Sequence, residues 1–410
     1  MTLNQIDHNL PITQAVIFAG GEGKRLRPMT ENRPKPMIEI NGKVFLEYLI
    51  EQLKEQGFTK VLLLLGYLPE IIQDYFQDGE KWGIQIEYFI TPVECETGYR
   101  IQQAKTKLDP YFLLMYCDNY WPLNIEPMWR QYQESGASML LTVYSNKDHY
   151  TKNNVKIGSD GFIQIYDKDR SQLDLNGVEI GYALVKRSLI DLFTFDKNEK
   201  FQHSLYPRLI ESRQMVAYYT NHRYYSIGGL ERLPLTEEFF SQSPTVILDR
   251  DGVLNRKAPK ACYIENWEQF QWQPYAFESL RLFNQAGFRV IVITNQAGIH
   301  FGVMTEDDLL DIHNRMKQDV EESGGKIHEI YHCPHGWDDG CDCRKPNPGM
   351  IFQAQQDYNL DLSRTYFVGD DDRDRQAAEA AGCPFFMVSQ DQMLLDFTKQ
   401  LIQQNISALV

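Results

Sequence analysis

Two carboxylates, Asp249 and Asp251, follow a short apolar run in the second half of the chain. The run, residues 246–248, contains only valine, isoleucine and leucine, which predicts a buried strand. Side chains at positions i and i+2 of an extended chain point to the same side. One carboxylate can therefore attack a phosphorus atom while the other transfers protons, which is the division of labour expected for a covalent aspartyl-phosphate.

More polar side chains follow later in the same half, in the order Thr294, Asn295, Arg344, Lys345 and Asp370. The threonine and the last aspartate come directly after apolar runs that also predict strands. The carboxyl ends of parallel strands meet at one edge of a sheet, where open α/β folds bind ligands. The sequence therefore predicts a single site that holds carboxylates, a hydroxyl group and cations.

A glycine-rich segment follows the first predicted strand of the chain. Gly20, Gly21 and Gly23 allow backbone N–H groups to approach an anion closely, because no Cβ stands in the way. Arg25 and Lys35 add two cations to the same region. These features predict a site for a triphosphate whose α-phosphorus is attacked.

Three thiols and one imidazole lie close together at Cys333, His335, Cys341 and Cys343. The spacing C-x-H and C-x-C provides four ligands for one tetrahedral Zn²⁺ and leaves no position for water. We therefore expect a structural zinc that fixes the loop carrying the basic pair at residues 344–345.

The helices and strands that must position these candidate site residues are predicted to form two α/β domains. Short apolar runs alternate with amphipathic stretches, which indicates parallel sheets covered by helices. The predicted strands are residues 15–18, 61–65, 112–116, 139–144, 246–248, 290–293 and 366–368. The sequence predicts a first domain at 1–240, a linker at 241–244 and a second domain at 245–410.

Residues 14–37 resemble the signature of the sugar-1-phosphate nucleotidyltransferases, and the resemblance extends over residues 12–232. In that family a sugar phosphate attacks the α-phosphate of an NTP and releases pyrophosphate. The resemblance implies that Arg25 and Lys35 are catalytic through charge stabilisation and that Asp118 binds Mg²⁺. It also implies sugar or phosphate contacts from Lys168 and Glu179. The nucleotide-binding residues that it implies are Gly20, Gly21, Gly23, Thr97 and Gly98.

Three positions depart from that family. Ser226 stands where a second metal-binding carboxylate is usual, and a hydroxyl group is a poorer Mg²⁺ ligand. Tyr99 and Arg100 replace small residues after Thr97 and Gly98. A catalytically degenerate first domain is therefore an alternative.

The second half, over residues 244–395, resembles the haloacid-dehalogenase superfamily of phosphatases. The resemblance implies that Asp249 is the nucleophile and that Asp251 is the general acid and base. It implies that Thr294 and Lys345 hold the phosphoryl group, and that Asp370 binds Mg²⁺ with Asp249 and the Asp251 carbonyl. Asn295 and Arg344 complete the expected substrate contacts. The short stretch between Asp251 and Thr294 leaves no room for a large cap domain.

The metal loop narrows this second resemblance to the D-glycero-D-manno-heptose 1,7-bisphosphate phosphatases and their histidinol-phosphatase relatives. The fold class expected for the chain is α/β with two doubly wound domains. The first is a Rossmann-like nucleotidyltransferase domain, and the second is a capless haloacid-dehalogenase-like domain with a small zinc loop.

The two chemistries constrain each other, because a nucleotidyltransferase needs the anomeric phosphate that a general phosphatase would remove. A sugar bisphosphate satisfies both if the distal phosphate is removed first. We therefore expect a bifunctional enzyme that removes the 7-phosphate of the heptose bisphosphate and then makes an NDP-heptose. The first half most resembles heptose-1-phosphate guanylyltransferases, which favours GTP. ATP, another sugar bisphosphate, and a binding-only first domain are the alternatives.

The composition limits the partners. The chain has 41 Lys and Arg against 56 Asp and Glu, a net charge of −15, which disfavours nucleic acid and anionic membranes. Its start has no basic and apolar signal segment, and its seven cysteines are too few for a disulfide scaffold. The expected partners are small sugar phosphates and NTPs in the cytoplasm, with Mg²⁺ in both domains and Zn²⁺ in the second. The sequence does not determine an oligomeric state.

Overall fold

The structure, a computed structural model, describes residues 12–192, 198–259, 262–389 and 393–408. The chain divides into two compact units, Met1–Phe240 and Ser241–Val410. Each unit is built around its own main sheet. No helix in these described ranges has the length and apolar character needed to cross a membrane.

The first unit contains thirteen described strands and seven described α-helices. Its strands are β1 (Gln14–Ala19), β2 (Glu39–Ile40), β3 (Lys43–Val44), β4 (Lys60–Leu65), β5 (Gln85–Ile90), β6 (Tyr111–Tyr116), β7 (Asn119–Tyr120), β8 (Met139–Tyr144), β9 (Val155–Ile157), β10 (Ile163–Tyr166), β11 (Val178–Lys186), β12 (Met215–Thr220) and β13 (Tyr225–Ser226). Its helices are α1 (Phe45–Glu55), α2 (Pro69–Phe76), α3 (Thr97–Gln103), α4 (Ile125–Ser135), α5 (Ser188–Leu192), α6 (Phe201–Glu211) and α7 (Leu233–Phe240).

The main sheet of the first unit has the order β12-β8-β11-β6-β1-β4-β5. Every residue of β1 is buried, because hydrophobic clusters cover both faces of the sheet. β1 lies parallel to β4 and β6, so the glycine-rich segment after β1 and Asp118 after β6 reach the same edge. β11 runs antiparallel to both of its neighbours, which makes this sheet mixed.

Helix α1 shows why this sequence folds as it does. Its apolar residues recur at helical spacing and form one buried face against the sheet. The residues of that face are Phe45, Leu46, Leu49, Ile50 and Leu53.

The second unit is a smaller α/β layer structure. Its strands are β14 (Thr245–Leu248), β15 (Arg289–Asn295), β16 (Glu329–Cys333), β17 (Tyr366–Gly369) and β18 (Phe385–Met387). Its helices are α8 (Ala276–Gln285), α9 (Glu306–Glu322), α10 (Gly349–Tyr358), α11 (Asp372–Ala381) and α12 (Leu394–Ala408).

The second sheet has the order β16-β15-β14-β17-β18, and all of its pairs are parallel. The carboxyl ends of β14, β15 and β17 therefore lie side by side. The seven strands predicted from apolar runs are confirmed, each within a longer or equal observed strand. The edge strands β16 and β18 were not predicted, because β16 contains polar residues and β18, although apolar, has only three residues.

Candidate active sites

The first unit has a cleft of about 600 Å³ beside the carboxyl ends of β1 and β6. One wall is the glycine loop, residues 20–26, and a second wall is formed by residues 93–97. Of the residues predicted for this site, the structure places seven around the cleft: Gly20, Gly21, Gly23, Arg25, Lys35, Thr97 and Asp118. The cleft therefore combines backbone donors, two cations and a carboxylate.

Lys35 and Asp118 meet directly, with 2.5 Å between the Lys35 Nζ and the Asp118 Oδ2. Lys35 is buried within a 3₁₀ turn, so its ammonium group has a fixed position. Arg25 is exposed at the surface of the glycine loop. Lys35 therefore lies deep in the cleft, and Arg25 lies at its mouth.

Thr97 and Gly98 open helix α3, but only the threonine lines the cleft. The Thr97 Oγ1 accepts a hydrogen bond from the Phe201 N–H at 2.9 Å. The Gly98 N–H donates to the Glu199 carbonyl at 3.0 Å. The Gly98 N–H group is thus bonded to another part of the protein, whereas a contact with the nucleotide was expected for it.

Lys168 is not among the residues that line the cleft, but it lies near Lys200, a lining residue that the sequence did not reveal. Burial and then the Lys200 ammonium group lower the pKa of Lys168. An anion between two ammonium groups would remove their repulsion. This arrangement suits a substrate phosphate at that edge of the cleft.

Glu179, which was expected to contact the sugar, is not among the residues that line the cleft, and its carboxyl group is buried near Asp118. Burial and then the charge of Asp118 raise the pKa of Glu179 to about 7. Its buried Oε1 has no hydrogen-bond partner among the described residues. An unpaired buried acceptor of this kind is costly unless a ligand supplies a donor.

The side chain and the main chain of Ser226 both form hydrogen bonds within the fold. Its Oγ accepts the Gly228 N–H at 2.9 Å, and Gly228 lines the cleft. Its main chain pairs with Asn119, the residue after Asp118. Ser226 therefore shapes the cleft wall beside Asp118 and supplies no carboxylate there. One carboxylate together with substrate phosphates still suits Mg²⁺, which binds few protein ligands in nucleotide sites.

The second unit has a cleft of about 730 Å³ at the carboxyl edge of its sheet. Asp249 and Asp251 follow β14 directly and line this cleft together with Thr294, Asn295, Arg344 and Lys345. Asp370 follows β17 beside them. All seven predicted residues of this site therefore converge, as expected from the parallel strands.

Lys345 is buried between two carboxylates. Its Nζ lies 2.8 Å from the Asp249 Oδ1 and 2.6 Å from the Asp374 Oδ1. Burial raises the pKa of Asp249, against the opposing attraction of Lys345. Asn295 holds the main chain of Lys345 through reciprocal bonds of 3.0 and 3.1 Å. Asn295 thus fixes the position of Lys345, and Lys345 in turn fixes the position of the Asp249 carboxylate.

Asp251 accepts hydrogen bonds from four side chains. The Arg250 Nη2 donates to both of its oxygens at 3.0 and 3.1 Å, and the Gln296 Nε2 donates at 2.9 Å. Asn255 and Thr294 donate at 3.0 and 3.3 Å. Burial raises the pKa of Asp251, but Arg250 and the hydrogen bonds outweigh this effect and hold the pKa below its ordinary value.

Behind Arg250 lies His313, a buried residue of helix α9. Both side chains are buried, and 3.3 Å separates the Arg250 Nη1 from the His313 Nε2. The Arg250 Nε has no partner among the described residues. The contact between helix α9 and the strand end could not be read from the sequence, because only the fold brings these residues together.

Carboxylate oxygens of Asp249, Asp370 and Asp374 lie within 4.8 Å of one another. Lys257 donates to both oxygens of Asp370 at 2.9 Å. Gly252 has a φ of +101°, and a Cβ there would overlap the Asp370 carboxylate. This all-oxygen donor set suits Mg²⁺, with Asp249 and Asp370 as the side chains that would hold it.

The four predicted zinc ligands converge at the end of β16, and one ligand atom of each lies within 4.8 Å of the others. The Sγ atoms of Cys333, Cys341 and Cys343 are 3.3–3.7 Å apart. The His335 Nδ1 lies 3.2 Å from the Cys343 Sγ. Thiolates around one tetrahedral zinc at about 2.3 Å would stand roughly 3.8 Å apart. The residues therefore fit zinc, and the loop they close leads directly into Arg344.

Comparison with known proteins identifies the family of the first unit. The family model for nucleotidyl transferases matches residues 14–224, just over half of the chain. The chain belongs to the nucleotidyl transferase family. A second model, for HAD-hydrolase-like proteins, matches residues 342–399.

Curated relatives match the phosphatase unit. A D-glycero-beta-D-manno-heptose-1,7-bisphosphate 7-phosphatase of Pseudomonas aeruginosa is 44% identical over 138 residues, which cover 34% of this chain and 76% of that protein. A D-glycero-alpha-D-manno-heptose-1,7-bisphosphate 7-phosphatase of Photorhabdus laumondii is 38% identical over 145 residues, which cover 33% and 77%. Among solved structures, HddC from Yersinia pseudotuberculosis is 22% identical with a TM-score of 0.48, and the match covers 56% of this chain and 100% of HddC.

These families make the chain a bifunctional enzyme with a nucleotidyltransferase unit and a haloacid-dehalogenase-like phosphatase unit. The two resemblances inferred from the motifs are thereby confirmed. Sequence reasoning missed Lys200, Lys257, Gln296, His313 and Asp374 as parts of the sites. Asp374 had a signal, because it lies in the acidic run after β17 that also contains Asp370.

Proposed function

We propose that the phosphatase unit removes the 7-phosphate of D-glycero-D-manno-heptose 1,7-bisphosphate and that the nucleotidyltransferase unit then converts heptose 1-phosphate to GDP-heptose. The observation that carries the proposal is the combination in one chain of a nucleotidyltransferase with a unit 44% identical to a heptose bisphosphate 7-phosphatase. Such a chain needs the anomeric phosphate to survive the first reaction.

The cations of the phosphatase cleft support a substrate with two phosphates. Lys345 is buried beside Asp249, where the reacting phosphate would lie. Three further cations, Lys257, Arg344 and Arg373, also line the cleft. Lys257 and Arg373 already pair with Asp370 and Asp371, so Arg344 is the outer cation that a second phosphate on the same sugar would pair with.

The residues divide the hydrolysis into two displacements. The Asp249 carboxylate forms a bond to phosphorus while the bond from phosphorus to the sugar oxygen breaks, and Asp251 gives that oxygen a proton. Asp251 takes up this proton when the substrate binds, because the negative charge of the phosphate opposes the effect of Arg250 and raises the pKa of Asp251. A water molecule then loses a proton to Asp251 and attacks the same phosphorus. Inorganic phosphate leaves, and the Asp249 carboxylate is restored. Thr294 and Lys345 hold the transferring group, and bound Mg²⁺ would neutralise charge on its oxygens.

In the nucleotidyltransferase unit, an oxygen of the sugar 1-phosphate attacks the α-phosphorus of the NTP, and the bond to the pyrophosphate leaving group breaks. Lys35 and Arg25 stabilise the charge on the phosphates during this exchange. Glu94 and Glu96 line the cleft and favour GTP as the substrate. A carboxylate can accept hydrogen bonds from the N–H groups on the base-pairing edge of guanine. Adenine lacks that pair of donors.

Separate measurements of phosphate and pyrophosphate release test the assignment. Asp249→Asn should abolish phosphate release from the heptose bisphosphate and leave pyrophosphate release from GTP and heptose 1-phosphate unchanged. Lys35→Met should have the opposite effect. The matched controls are Asp372→Asn and Lys43→Met, which change partly exposed residues that pair with Arg375 and Glu51. Phosphate release that survives in Asp249→Asn would refute the assigned nucleophile.

Ser226 favours a second candidate, in which the first unit only binds sugar phosphates. A serine replaces the usual second metal-binding carboxylate, and its hydroxyl group is engaged with Gly228. Wild-type pyrophosphate release that is lost in Lys35→Met would reject this candidate.

A further inference from the structure

Arg100 is a buried cation at the floor of the nucleotide cleft. Its side chain projects from helix α3, it is 3% exposed, and it also lines the cleft. The sequence marks it as a departure, because a small residue is usual after the Thr97-Gly98 pair. A guanidinium group in this place needs a physical reason, since burying a charge is expensive unless its donors are satisfied.

All three nitrogens of the guanidinium group donate to oxygen atoms of the protein. The Nε donates to the Cys95 carbonyl at 2.9 Å. The Nη1 donates to the Leu65 carbonyl at 2.6 Å and to the Thr91 hydroxyl group. The Nη2 donates to the Pro92 and Val93 carbonyls at 3.0 Å each, and makes a longer contact of 3.4 Å with the Gly20 carbonyl.

These partners belong to three different segments. Gly20 begins the glycine loop, Leu65 ends β4, and the remaining acceptors lie in residues 91–95, which lead into the second wall of the cleft. One side chain therefore connects both walls of the cleft to the end of β4. Because its N–H groups are occupied by the protein, Arg100 has none to spare for a phosphate.

Two glycines provide the space for this group. A Cβ at Gly20 would lie 2.6 Å from the Arg100 Cζ, and a Cβ at Gly66 would lie 2.5 Å from both terminal nitrogens. Gly20 was expected to be a glycine for the sake of the nucleotide. The structure adds that Arg100 occupies the volume a side chain would need there.

We propose that Arg100 is a positioning residue that fixes the distance between the glycine loop and the 93–97 wall, and so sets the affinity of the cleft for the NTP. The inference rests on the proposed nucleotide site for its ligand. A lysine cannot replace Arg100, because three donors on one nitrogen cannot reach carbonyls on three segments.

The test measures binding of each of the four NTPs with Mg²⁺ to the full-length chain by calorimetry, in wild type, Arg100→Lys and Arg100→Gln. We expect both variants to weaken binding of the preferred NTP by at least about tenfold, equal to about 1.4 kcal/mol. The KM for that NTP should rise with it, while the KM for the sugar 1-phosphate changes much less. Millimolar guanidinium should partly rescue Arg100→Gln.

Thr91→Val is a milder variant that removes one acceptor of Arg100 and should raise the same KM by a smaller factor. Arg130→Gln is the matched control, because Arg130 is exposed and pairs only with Glu126 among the described residues. Phosphate release by the second unit should be unchanged in every variant.

Three results would overturn the proposal: unchanged NTP affinity in both Arg100 variants, full activity in Arg100→Lys, or equal rises in both KM values. Wild type that binds an NTP but transfers nothing would refute the proposed nucleotidyl transfer, and the role of Arg100 would then be judged on binding alone. Wild type that binds no NTP would refute both.

Discussion

Replacing His313 with leucine should destabilise the phosphatase unit at neutral pH and do so much less at mildly acidic pH. Burial and then the adjacent Arg250 guanidinium group lower the pKa of His313 to about 2, so the folded protein keeps this imidazole neutral. In that form the His313 Nε2 accepts a hydrogen bond from the Arg250 Nη1 at 3.3 Å. Leucine removes the acceptor and leaves a donor of a buried cation without its partner.

Two free energies determine the size of the effect. A buried donor left without a partner costs about 2 kcal/mol, which is the destabilisation expected at pH 7.5. An unfolded histidine has a pKa of about 6.5. Below that pH the unfolded chain takes up a proton that the folded chain does not, so wild type loses stability as the pH falls. Between pH 7.5 and 5.5 the loss is about 1.4 kcal/mol.

The His313→Leu variant has no such titration, so its deficit relative to wild type should shrink to about 0.6 kcal/mol at pH 5.5. Hydrogen exchange of β15 in the full-length chain, measured at both pH values, reports the stability of this unit. His203→Leu is the control, because His203 is exposed on helix α6 of the first unit and its replacement should leave the exchange of β15 as in wild type at both pH values. An equal deficit of His313→Leu at pH 7.5 and 5.5 would refute the neutral, buried imidazole.

Two other variants test the phosphatase unit. Lys345→Met should lower its kcat by about 10²–10³, the usual loss when a charge-stabilising donor is removed, and pyrophosphate release by the first unit should not change; a loss below tenfold would remove Lys345 from the site. Zinc content measured by mass spectrometry should be one ion per chain and should fall in Cys341→Ser, since structural sites use all four ligands. The exposed Cys262 provides the control Cys262→Ser, and zinc-free wild type with full stability would contradict the metal assignment.

The phosphatase site was the more predictable of the two. Its residues follow β14, β15 and β17, and parallel strands bring their ends together whatever the intervening chain does. The zinc loop was predictable for a similar reason, because its four ligands are close in the sequence and their types restrict the metal.

The residues that could not be predicted owe their place to tertiary packing. Arg100 looked like a defect in a nucleotide-binding motif, and the segments that satisfy its donors are distant in the sequence. His313 lies on a helix with an ordinary amphipathic pattern, and nothing in that pattern reveals Arg250 beside it. Gly98 matched the motif, yet its amide is bonded to Glu199.

The most direct test of the central claim is a single reaction that contains the full-length chain, D-glycero-D-manno-heptose 1,7-bisphosphate, Mg²⁺ and one NTP at a time, resolved by mass spectrometry. We expect GDP-heptose with GTP, together with inorganic phosphate and pyrophosphate in equal amounts. Accumulation of heptose 1-phosphate with every NTP would contradict the claim, because the first unit would then not use the product of the second.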